Sequence, residues 1–216
     1  MSGGSNESAT PPLDNEAAGI AALRDAVAEL NDRVVFGNLD GEQVRDLAAQ
    51  VAELNHQLEL ANGQGARAPE PNQAEPWRHY RRRSPFAGTA NPRAPGLRMR
   101  IDAGAPVPTA HGSVTVGAAF AGPPGFVHGG IIAGLLDEAI GWLASATVPD
   151  AAVVTGKLSV RFNAPTPVGA PLYLQVAVTK RTSLLMNIDA TMGVGDARDL
   201  DKTHTATGEA LMVIKR

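Results

Sequence analysis

A single apolar helical pattern followed by long alternating runs narrows the fold more than any other feature of the chain. Ile131, Ile132, Leu135, Leu136, Ala139, Ile140 and Leu143 form the broad apolar face of a helix, and Pro149 closes the region after it. Three runs of strand character come next, at 153–163, 172–182 and 184–194, and a last one covers 203–215. Two shorter runs, 97–101 and 113–120, precede the turn AGPPGFVHGG that opens the helix. Long strands joined by tight turns around one helix predict an antiparallel β-sheet wrapped around a central helix, an α+β domain over 97–216.

Composition limits the chemistry. The chain of 216 residues is 44% hydrophobic, enough for a substantial core, and contains no cysteine. A disulfide scaffold, a thiolate metal site and a cysteine nucleophile are thereby excluded. Aromatic residues make up 4% and the net charge is -3, so neither stacking nor an overall basic field points to nucleic acid. No apolar run approaches the roughly 20 residues of a membrane span, and the first residues are polar and acidic, unlike a signal peptide. The expectation is a cytoplasmic protein without a membrane partner. His56, His79, His111, His128 and His204 are scattered singly, so no metal or other cofactor is expected.

Charge divides the N-terminal half. From position 14 to 60 there are ten acids and three arginines, net -7, whereas 67–100 holds eight arginines against Glu70 and Glu75, net +6. Residues 1–12 read as a disordered tail. Ile20, Leu23, Val27, Leu30 and Val34 recur at helical spacing, as do Val44, Leu47, Val51, Leu54 and Leu58, with Gly37 and Gly41 between the two series. The spacing predicts a helical hairpin over 13–61. Asp40 and Gln43 make a capping box for its second helix, and Asn62-Gly63 ends it. Helices this short need packing partners, so the hairpin reads as an oligomerisation or docking element. Its acidity argues against a DNA reader. Residues 62–96, rich in Pro, Gly and Arg, read as an irregular connection in which Arg81, Arg82 and Arg83 meet an acidic ligand or neutralise the hairpin.

The chemistry gathers on the central helix. His128, Gly129 and Gly130 fall at its first turn, where amides lack intrahelical partners and the dipole favours an anion or a polarised carbonyl oxygen. Gly-Gly there either admits a ligand to the backbone or merely permits the turn. Down the helix Gly130, Ala133, Gly134, Asp137 and Gly141 lie on one stripe, which makes Asp137 the polar group in a groove of small residues or a solvated helix position. Glu138 points about 100° away and cannot share that groove. Gly129 and Asp137 are about 12 Å apart along a helix, too far to act on one carbonyl. A two-fold dimer with antiparallel helices would bring the Asp137 of one chain beside the Gly129 of the other. The run from 153 alternates, with Val154, Leu158, Val160 and Phe162 on one face and Thr155, Lys157, Ser159, Arg161 and Asn163 on the other.

GPPGFVHGGIIAGLLDEAIGW, VVTGKLSVRFNAPTPVGAPL and TATGEALMVIK resemble the hotdog-fold acyl-CoA thioesterases of the PaaI-like group, over roughly 84–216. The resemblance implies metal-free hydrolysis of acyl-CoA by a homodimer or dimer of dimers. It implies that the Gly129 N–H polarises the thioester carbonyl, that His128 shapes the turn, and that the partner chain's Asp137 is nucleophile or general base. It also implies that Thr155 orients the attacking water or the carboxylate. Gly130 would approach the substrate, and Arg161 and Asn163 would reach the phosphate end of CoA. Two departures stand out. Several relatives carry an Asn where Gly122 stands, and their Gly-Arg-Lys turn is replaced by KRTSLLM, where Lys180 and Arg181 would do the phosphate work. A non-catalytic acyl-CoA binding or sensing protein is the alternative. A hydratase ranks below both, because no acid stands within four residues after His128.

Overall fold

The computed structural model describes residues 15–38, 40–62, 77–195 and 204–215. The expected tail at 1–12 and the Gly63 stop lie outside these residues. Two helices lead, α1 (Asn15–Phe36) and α2 (Gly41–Asn62), followed by a short α3 (Trp77–Arg83). Strands β1 (Arg98–Ile101) and β2 (Thr109–Thr115), a 3-10 turn (Ala118–Phe120) and the central α4 (Gly129–Thr147) come next. Strands β3 (Ala152–Phe162), β4 (Pro171–Arg181), β5 (Leu185–Val194) and β6 (His204–Lys215) complete the chain.

The six strands among the described residues join one antiparallel sheet in the order β1-β2-β4-β5-β6-β3. The sheet wraps α4 as the sequence pattern predicts. Ile132, Leu135, Leu136, Ala139, Ile140 and Leu143 are buried against Leu172, Leu174, Val176, Met186, Ile188, Met192 and Met212. Burial of one such large side chain is worth about 1.5–3 kcal/mol, so this interface dominates the domain's stability. At 19 residues α4 is long and apolar enough to cross a membrane by composition, contrary to the expectation that no run comes close. Here its apolar face is spent on the sheet.

Local expectations fail where pairing overrides propensity. The second strand occupies Thr109–Thr115 rather than 113–120, because β4 pairs with it along its whole length while Ala118–Phe120 turns away as a 3-10 helix. The Arg-rich connection contains α3 and an ordered strap, described below.

In the N-terminal pair the capping box forms as predicted. Asp40 Oδ1 accepts from the amides of Glu42 (3.0 Å) and Gln43 (2.9 Å), and Gln43 Oε1 accepts from Asp40 N (3.3 Å). The helices do not bury each other's seams. Leu23, Leu30 and Val34 of α1 and Val44, Leu47, Val51 and Leu54 of α2 are all 37–66% exposed. α1 packs against the Ala118–Phe120 turn, and its Arg24 donates to Thr89 O at 3.4 Å.

Candidate active site

The first turn of α4 has a specific amide economy. His128 is the N-cap, and its Nδ1 accepts from Gly130 N at 2.9 Å. An imidazole nitrogen that accepts carries no proton, which assigns the ring proton to Nε2. The His128 carbonyl accepts from Ile131 N (2.9 Å) and Ile132 N (3.2 Å). Among the described residues the Gly129 N–H alone of these four amides has no acceptor, and it sits at the positive end of the helix. Gly130, expected at the substrate, has its amide already engaged by the cap.

The loop before the cap is fixed by His128 N donating to Phe120 O (2.9 Å) and Val127 N to Thr166 O (2.9 Å). Gly122 packs closely on the cap: a Cβ there would lie 3.0 Å from His128 Cα and 3.2 Å from its Cδ2, so a larger residue would require the cap to shift by a few tenths of an ångström.

Two turns below, Asp137 Oδ1 accepts from the Thr155 hydroxyl at 2.9 Å. Its Oδ2 has no hydrogen bond among the described residues. The contact with Thr155 is possible because β3 is bulged. Thr155 opposes Met212 and Lys157 opposes Leu211, which leaves Gly156 as the extra residue. The bulge reverses the alternation, so Val153 packs on the core before it and Leu158 and Val160 after it. Thr155 therefore faces α4, on the side of Leu158 and Val160 and not with Lys157, Ser159 and Arg161. The expectation that Thr155 and Arg161 share a face is corrected by this one inserted residue. Phe162, at the end of the same strand, lies against Gly129, where a Cβ would meet its ring at 3.4 Å.

The remaining predicted contacts are dispersed. Asn163 follows β3 and donates its backbone N–H to Thr205 O (2.9 Å). Lys180 and Arg181 end β4, and Arg181 reaches Thr147 O at the opposite end of α4 from Gly129 (3.5 Å). Gly129 and Thr147 lie about 27 Å apart at 1.5 Å per residue, so within one chain Arg161 and this basic pair do not converge.

Sequence reading missed the strap at 77–97. Ser84 is fully buried, and its Oγ donates to Glu138 Oε1 at 2.6 Å while accepting from the amides of Phe86 (3.2 Å) and Ala87 (3.0 Å). The Tyr80 hydroxyl donates to Glu138 Oε2 at 3.2 Å. Burial, reinforced by the charge of Glu138, pushes the Tyr80 phenol up to about 12. Arg81 stacks over Trp142 at 5.2 Å, so one of the three arginines is committed to α4. Phe86 lies flush on Gly134, where a Cβ would fall 1.9 Å from the ring. The small-residue stripe thus receives the chain's own phenylalanine. Aromatics spaced through an arginine-rich segment, Trp77, Tyr80 and Phe86, were the available signal. Among the described residues no group of three His, Asp or Glu side chains converges as a metal site would require.

Residues 124–198 match the family model of the thioesterase superfamily. None of the curated proteins matches the chain. A solved thioesterase superfamily protein is similar over 94% of this chain and 93% of its own, at 24% identity and a TM-score of 0.73. That coverage takes in the N-terminal helices as well as the sheet. The E. coli PaaI protein from the phenylacetic acid degradation operon is 16% identical, covering 55% of this chain and 80% of its own at a TM-score of 0.46. A Streptococcus mutans protein solved bound to acetyl CoA is 19% identical, covering 55% and 89% at 0.46. The wrapped helix and antiparallel sheet thus share the fold of that solved protein, and the match to the thioesterase superfamily model spans α4 and β3 to β5, about a third of the chain.

Proposed function

We propose that the protein is an acyl-CoA thioesterase whose active site is shared between two subunits. The observation that carries this reading is the pairing on one helix of a single unengaged amide, Gly129 N–H, with a carboxyl, Asp137, that Thr155 holds by one oxygen and leaves open at the other. The two groups lie about 12 Å apart along α4, so one thioester can touch both only if a second copy supplies one of them. Among the described residues β3 ends the sheet with an unpaired edge, and Val154 and Phe162 on it are 40% and 55% exposed. An antiparallel partner on that edge would bring both reactive groups into one cleft.

In that cleft the substrate carbonyl oxygen takes the Gly129 N–H, and the helix dipole supports the negative charge that develops there. Asp137 of the partner subunit either removes a proton from water as the water attacks the carbonyl carbon or attacks that carbon itself. Thr155 holds the carboxyl toward the substrate. Collapse of the tetrahedral intermediate breaks the carbon–sulfur bond and releases CoA; when water attacked, the free acid leaves with it, and when Asp137 attacked, the acyl group stays on the carboxylate as an anhydride that water then hydrolyses to the free acid and Asp137. His128 keeps Gly130 occupied and leaves its Nε2–H facing outward near the sulfur. Arg161, Asn163, Lys180 and Arg181 are the candidate contacts for the CoA phosphates, the first two near the head of α4 and the last two near its tail.

The test is turnover of a panel of short, long and aromatic acyl-CoAs by the wild type and by Asp137→Ala. Removing the carboxyl is expected to lower kcat by about 10²–10⁴-fold with the fold and assembly intact, the range for loss of a positioned acid or base. Full activity in folded Asp137→Ala would discard the mechanism, and tight acyl-CoA binding without turnover by the wild type would replace it with a sensing role.

A further inference from the structure

We propose that Phe86, delivered by the strap, sets the size of the acyl group the site accepts. The inference rests on the acyl-CoA reading above. Gly134 and Asp137 are three residues apart on the helix surface, about 5–6 Å between side-chain origins. The Phe86 ring covers Gly134, with three of its carbons 1.9–2.6 Å from where a Cβ would stand, so it lies against the helix backbone one turn from the reacting carboxyl. On the other side of Asp137, Gly141 has nothing within 4 Å of its own Cβ position. A substrate whose carbonyl carbon meets Asp137 therefore finds open helix surface toward Gly141 and an aromatic wall toward Gly134.

The wall is anchored. Phe86 O accepts from the amides of Gly96 (3.1 Å) and Leu97 (2.9 Å), its own N–H goes to Ser84 Oγ, and Ser84 is tied to Glu138. These bonds hold the Phe86 backbone in place over α4, and the ring is seated on Gly134. It excludes chains that need the space over Gly134, and glycine at 134 is what allows it to sit so deep.

Phe86→Ala is expected to move the chain-length optimum upward. It should raise kcat/KM for an acyl-CoA about two carbons longer than the wild-type optimum roughly tenfold relative to that optimum, the discrimination that one or two methylenes carry in an apolar pocket. Phe86→Leu, which keeps a packed apolar side chain, should shift the profile in the same direction by less, and it serves if the alanine variant does not fold. An unchanged profile, or a uniform fall across all chain lengths in folded protein, would reduce Phe86 to a packing residue and overturn the inference. Absence of turnover by the wild type on every acyl-CoA would instead sink the thioesterase reading, and this inference with it.

Discussion

Asp137 and Glu138 are neighbours in sequence on one helix, yet the flanks of α4 on which they stand treat them in opposite ways. On the strap side Glu138 receives two hydroxyls, one from fully buried Ser84 and one from Tyr80, and both of its oxygens are used. On the β3 side Asp137 receives one hydroxyl and keeps an oxygen open. A carboxyl whose lone pairs are taken by its own chain holds a structure together, whereas one left half-satisfied in a cleft is available to a substrate. The difference teaches that composition and spacing cannot rank two adjacent acids. Their partners across the helix can.

The contrast can be broken most forcefully at Glu138. Glu138→Ala removes the acceptor of a buried hydroxyl and is expected to destabilise the fold by about 1–3 kcal/mol, seen as a lowered midpoint in urea, while the variant that stays folded keeps most of its turnover. A stable Glu138→Ala protein without activity would reverse the two roles. A smaller effect is expected on the other flank. Thr155→Val keeps the shape but removes the donor to Asp137, and kcat should fall about tenfold, equivalent to about 1.4 kcal/mol of barrier, with little change in stability. An equal loss of stability and activity would mean that the Thr155 contact is structural.

The smallest effect sharpens the comparison through pH. Tyr80 titrates near 12 in the folded protein and near 10 when unfolded. Because the folded value is raised, the strap's contribution from this phenol is fully present below about pH 10 and is lost as pH rises toward 12. With Tyr80 partly exposed, this contribution is about 1 kcal/mol. Tyr80→Phe should flatten that alkaline limb of the stability curve. A limb of unchanged steepness in the variant would show that other groups produce it.

The fold was legible because it rests on periodicity. The apolar face of α4 and the long runs that became β3 to β6 are each written in local spacing, and the capping box at Asp40 and Gln43 is a four-residue motif that needs no tertiary partner. The head of the helix was legible for the same reason. What was not legible depends on pairing or on contact at a distance. Thr155 was assigned to the wrong face because an alternating pattern read from sequence cannot see that Gly156 is inserted against β6. The stripe from Gly130 to Gly141 looked like an empty groove because nothing in it announces that Phe86, some 50 positions earlier, lies on Gly134. The helix seams at 20–34 and 44–58 called for a packing partner, whether each other, the main domain or another copy, and they stay largely exposed in the single chain, since apolar spacing tells that a face wants cover and not what covers it.

The strap also bears on how the protein can be divided. The sheet begins at Arg98, and a fragment cut there would retain every strand, α4, Gly129, Asp137 and Thr155. It would nevertheless strip both hydroxyls from Glu138 and lift the aromatic ring from Gly134, exposing bare helix backbone one turn from Asp137. The smallest piece that keeps the cleft intact therefore starts near α3, some twenty residues ahead of the first strand.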